Sequence, residues 1–91
     1  MEKIKVNVKK VTMGYSVTAL RGKLALFNLY KGIGIWNFDA YGIGRSFIES
    51  DEFPVEYAKK LCQAICLISL GLTEFPEIEL TANAKKLLKI K

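Results

Sequence analysis

Histidine is absent from this 91-residue chain, tryptophan and glutamine occur once each, and cysteine and proline twice each. Without imidazole there is no Ser-His or Cys-His nucleophile pair, no HExxH zinc site and no histidine general base. Paired carboxylates remain. Asp39 and Glu49 are the only ones near the predicted sheet, and Asp39 lacks the following E-x-K of metal nucleases. The expected class is therefore a non-enzyme without cofactor or metal. Cys62 and Cys66 do not make a disulfide framework. A tetrahedral zinc site needs four donors, so this pair reads as small core residues one helical turn apart.

No apolar run reaches the ~20 residues that span a bilayer. The longest, AICLISLGL at 64–72, falls far short. The opening EKIKVNVKK lacks the apolar stretch of a secretory signal. These absences point to a soluble, cytoplasmic protein with no membrane partner. Abundant Lys and Glu beside scarce Gln lean toward a thermophile.

What is present is hydrophobic and basic. Apolar residues make up 51% of the chain and the net charge is +5. The length fits a single domain, 1–91. Charge is unevenly placed. Lys3, Lys5, Lys9 and Lys10 crowd one end, and Lys85, Lys86, Lys89 and Lys91 the other. Glu49, Asp51, Glu52 and Glu56 form one acidic knot between them.

Residues 2–9 alternate, with Ile4, Val6 and Val8 on one parity and Lys3, Lys5, Asn7 and Lys9 on the other. This predicts a strand with one wet, basic face. The parity slips after Val8, so Lys9-Lys10 marks a bulge or the strand end. Strands are predicted over 15–20, 24–30, 33–40 and 43–48, joined by turns containing Gly14, Gly22, Gly32 and Gly42. The stretch 24–30 is apolar on both parities and is expected to be covered on both faces.

The stretch ESDEFP then starts a helix, with acids in the first turn, and Gly71 ends it near residue 70. Ala58, Leu61, Cys62, Ile65, Ile68 and Leu72 share one face. Residues 64–72 are apolar on the second side too, which predicts a homodimer through helix 54–70. FPEIELT suggests an edge strand, and Thr81 caps a last helix over 82–90. The expected fold is α+β: an antiparallel meander of about four to five strands, one long helix (54–70) on one face and a short C-terminal helix.

GIG occurs twice, at 32–34 and 42–44, with Trp36, Phe38 and Tyr41 between. Neither copy has the third glycine or the strand-to-helix setting of a dinucleotide loop, so both read as hairpin glycines. Trp36 has two outcomes. Packed under the helix it is core; open beside Arg45 it stacks bases. The leading function is non-catalytic, sequence-nonspecific nucleic-acid binding through Lys3, Lys5, Lys9, Arg21, Lys23, Trp36 and Arg45, dominated by phosphate contacts. The rival is a protein-interaction or inhibitor module, of the kind a small archaeal virus or plasmid could encode.

Overall fold

The computed structural model describes residues 3–90. The fold is α+β. Strands β1 (Lys3–Val11), β2 (Gly14–Ala19), β3 (Leu24–Gly32), β4 (Ile35–Ala40) and β5 (Gly44–Glu49) form the expected antiparallel meander. Helix α1 (Val55–Leu70) then crosses the sheet and returns the chain as β6 (Glu77–Leu80). β6 pairs parallel with β1, giving a six-stranded sheet in the order β5-β4-β3-β2-β1-β6. Helix α2 (Ala82–Leu87) closes the chain against β1.

Alternation sorts every strand into an inner and an outer side. Ile4, Val6, Val8, Val17, Phe27, Leu29, Trp36, Phe38, Ile78 and Leu80 are buried on the inner face. From α1 come Ala58, Cys62, Ile65 and Cys66. The rings interlock. Phe38 lies 5.0 Å from Tyr57 and 5.4 Å from Phe27, and Phe53 stands edge-on to Trp36 at 5.1 Å. Such edge-to-face pairs add to area burial.

Several local expectations are corrected. Lys9-Lys10 carries no bulge: β1 pairs with β2 in unbroken register from Val6 to Val11. The irregularity lies in β3, where pairing jumps from Val17↔Phe27 to Thr18↔Ala25 and leaves Leu26 as the extra residue. That bulge lets Leu26 and Phe27, adjacent in sequence, both be buried. It accounts for the two-parity apolar pattern without cover on both faces, since Ala25 is exposed. On α1 the buried stripe passes through Cys66, and Ile68 is 68% exposed.

The end of α1 and the start of α2 follow their signals. But α1 begins at Val55, so Asp51 and Glu52 precede it and only Glu56 lies in its first turn, and α2 ends at Leu87 rather than at residue 90. Gly71 takes the left-handed conformation (φ 65°), and the Leu72 N–H donates to Leu67 O at 3.2 Å. Thr81 Oγ1 accepts from the Ala84 N–H at 3.1 Å. Gly14 is required for a different reason. A Cβ there would stand 2.1 Å from Leu29 O and 3.1 Å from Tyr30 Cδ1, so the Tyr30 ring lies over a bare stretch of β2.

A cationic groove on the outer sheet face

The outer face inherits the other parity: Lys3, Lys5, Asn7 and Lys9 from β1, and Ser16 and Thr18 from β2. Between β2 and β3 the chain makes a one-turn bend, Leu20–Gly22. Leu20, Arg21 and Gly22 have φ of 52°, 62° and 83°. Two consecutive left-handed non-glycine residues cost energy and concentrate where geometry serves a site. Here the bend swings Arg21 to the rim of an open groove of about 720 Å³.

Lys5, Lys9 and Arg21 line that groove together with Asn7, Thr18 and Asn83, and no carboxylate is among its lining residues. No ion pair engages these three cations among the described residues. The floor is held by a short network that ties α2 to β1. Asn7 Oδ1 accepts from Thr81 Oγ1 at 2.7 Å and from Asn83 Nδ2 at 3.2 Å, while Asn83 also donates to Val8 O at 2.9 Å. The network fixes the Asn7 side chain and leaves its amide hydrogens without a partner among the described residues.

The other sequence-predicted site residues separate from this groove. Lys3 is paired with Glu79, Nζ to Oε2 at 3.2 Å, on a diagonal of the parallel β1–β6 pair, where Glu77 stands opposite Lys3 and Glu79 opposite Lys5. Arg45 is paired with Asp39, Nε to Oδ1 at 3.5 Å, because the two are direct cross-strand partners. Lys23 is exposed but does not line the groove. Trp36 takes the first of its two outcomes. It is 4% exposed on the inner face, with Lys31 Nζ 4.9 Å above its ring, and is withdrawn as a stacking residue.

The aromatic surface lies elsewhere. Phe47, on β5, is 63% exposed on the outer face, and the register aligns it with Asn37 and Tyr30 across β4 and β3. Sequence reasoning passed over Phe47. The signal was available: once Trp36 and Phe38 are core, the β4–β5 hairpin places Phe47 opposite Asn37, on the other side.

The inner face holds a second cavity of about 520 Å³, between the end of α2 and residues 51–55. Its walls include Trp36, Phe53 and Leu87, and its charges are mixed, Lys31 and Lys89 against Asp51 and Glu52. Both cysteines are buried, and the Cys62 thiol is held in its protonated form. Burial, then the neighbouring Cys66, pushes the Cys62 thiol from 9.0 up to about 12, against a smaller lowering by a backbone hydrogen bond. The thiol stays protonated and unreactive at neutral pH. Among the described residues no group of three or more Cys, Asp or Glu is placed to hold a metal ion, and no helix is long and apolar enough to cross a membrane.

Comparison of the chain with protein-family models, with curated proteins and with solved structures finds no match.

Proposed function

We propose that this protein is a non-catalytic, sequence-nonspecific nucleic-acid-binding protein of the cytoplasm, and that the outer groove is its phosphate track. One observation carries the reading: Lys5, Lys9 and Arg21 converge on a groove whose lining holds no carboxylate. Hydrogen-bonding side chains fill the space between the cations, which suits phosphate and sugar oxygens. Lys3 and Arg45, each paired with a carboxylate, contribute less than the sequence alone assigns them.

Three phosphate contacts set a salt dependence. The slope of log K against log salt is about −2 for a single strand. Fluorescence anisotropy with labelled oligonucleotides between about 50 and 200 mM salt measures it. The combined variant Lys5→Ala, Lys9→Ala, Arg21→Ala abolishes the slope and leaves the fold intact, because all three side chains are exposed. Absence of binding to any single- or double-stranded DNA or RNA at low salt removes the proposal.

The rival reading, a protein-interaction module, draws on a different observation. Met13 and Ile33 are exposed apolar residues on two turns at the same end of the sheet. Capture of a protein partner from nuclease-treated lysate, lost in Met13→Ser, Ile33→Ser, favours it over nucleic acid. A second copy of the chain is the proposed cover for Ile68, Leu70 and Phe75, which stay exposed at the end of α1 and just after it. Light scattering that returns a monomer mass at micromolar concentration removes the dimer.

A further inference from the structure

We infer that the nucleic acid is single-stranded, and that its bases stack on Phe47 and Tyr30 of the outer sheet face; the inference rests on the phosphate track proposed above. The outer face is not uniform. Its β1–β2 side carries the unpaired cations, and its β3–β5 side carries the aromatic rings. A duplex offers a protein phosphates and groove edges, but its base faces are covered by neighbouring pairs. Rings standing on an open sheet gain from a nucleic acid only when bases are unstacked, and a single strand supplies both features at once.

Spacing and order support this. Tyr30 and Phe47 lie two strands apart, roughly 10 Å at the usual inter-strand distance, so bases one or two apart on a strand can each take a ring. Lys9 lies two strands beyond Tyr30 on the far side, within reach of the same strand's backbone. Tyr30 is prepared for the role, since its ring rests over Gly14, where no side chain competes. Between the rings sits Asn37, whose Nδ2 donates to Tyr30 O at 3.4 Å. Between β3 and the cations sit Asn28 and Ser16, paired across β3 and β2. This middle ground is polar and suits base edges. This side of the face carries two carboxylates, Asp39, matched by Arg45, and Glu49, two residues beyond Phe47 on β5.

The test uses the full chain and four probes at one low salt concentration: oligo-dT, oligo-U, a DNA duplex of equal length, and an abasic strand that keeps the phosphates and lacks the bases. The parent is expected to bind oligo-dT or oligo-U at least tenfold tighter than the duplex. Phe47→Ala is expected to lose about 5- to 150-fold on the strand carrying bases, the range for one stacked base. It is expected to match the parent on the abasic strand and on the duplex, with the salt slope unchanged. Tyr30→Leu is expected to show the same selectivity. A thermal melt checks each fold, and the high exposure of Phe47 makes its variant the safer one. The inference is overturned if duplex binds as tightly as single strand, or if Phe47→Ala and Tyr30→Leu bind oligo-dT and oligo-U as the parent does. Those outcomes leave the phosphate track standing. Absence of binding by the parent to all four probes overturns both.

Discussion

The two faces of the sheet are made from the same strands, often from adjacent residues, and they have opposite character. Ile4, Val6 and Val8 are sealed beneath the helices, while Lys3, Lys5 and Lys9 between and beside them stand in water. Trp36 and Phe38 anchor the inner side, while Asn37 between them faces out. Sequence neighbours are thus functional strangers, and residues far apart in sequence become partners: Arg21 meets Lys5 and Asn83, and Phe47 aligns with Tyr30. Because the side-chain period is two, a slip of one residue would exchange the faces. The inner face prevents it, so the packing of the aromatic core also holds the groove in register.

Breaking the inner face gives the largest effect. Phe38→Ala removes a fully buried ring that touches Phe27, Phe53 and Tyr57, and costs about 3–5 kcal/mol in chemical denaturation. Gly14→Ala strikes both faces from the seam, since the new methyl must push Leu29 O aside. The expected loss is about 1–3 kcal/mol. A change below a few tenths would mean that β2 and β3 do not approach this closely.

The next effect sharpens the inner face by pH. The unfolded Cys62 thiol loses its proton near 9.0, and the folded one keeps it to about 12. Between these values the native state binds more protons than the unfolded one. Stability is undiminished below pH 9 and falls as pH rises toward 12, by up to about 1.4 kcal/mol per unit. Cys62→Ala is expected to flatten that part of the pH–stability curve relative to the parent. The smallest effect belongs to the outer edge. Lys3 and Glu79 form a half-exposed pair, so Lys3→Ala should change stability by less than about 1 kcal/mol and oligonucleotide affinity less than Lys9→Ala does.

Features encoded over short spans were legible. The alternation at 2–9, the helix ending at Gly71, the Thr81 cap and the edge strand at 77–80 each depend on residues within a few positions. The parallel return of β6 to β1 was not legible, because the 3–6 and 77–80 segments are brought together by burial and carry no local mark. The bulge at Leu26 was hidden for a similar reason: an apolar run cannot say whether two covers or one extra residue buries it. Of the site, Lys5 and Lys9 followed from alternation alone. The pairing of Lys3 and Arg45 with carboxylates needed the strand register, and the reach of Arg21 needed a left-handed bend that nothing in Leu-Arg-Gly, apart from its glycine, announces.

Trp36 is the only indole in the chain, and its Nε1 hydrogen is buried with no hydrogen-bond partner among the described residues. The molecule therefore carries one indole fluorophore, in the wall of the inner cavity and on the side of the sheet away from the groove. Its emission should be blue-shifted and shielded from acrylamide in the native state, and should turn red when the core opens. It reports the integrity of the inner face and of the inner cavity, and lies across the sheet from the outer groove. A ligand of the outer groove that changes it without unfolding the chain would have sent its effect through the thickness of the sheet.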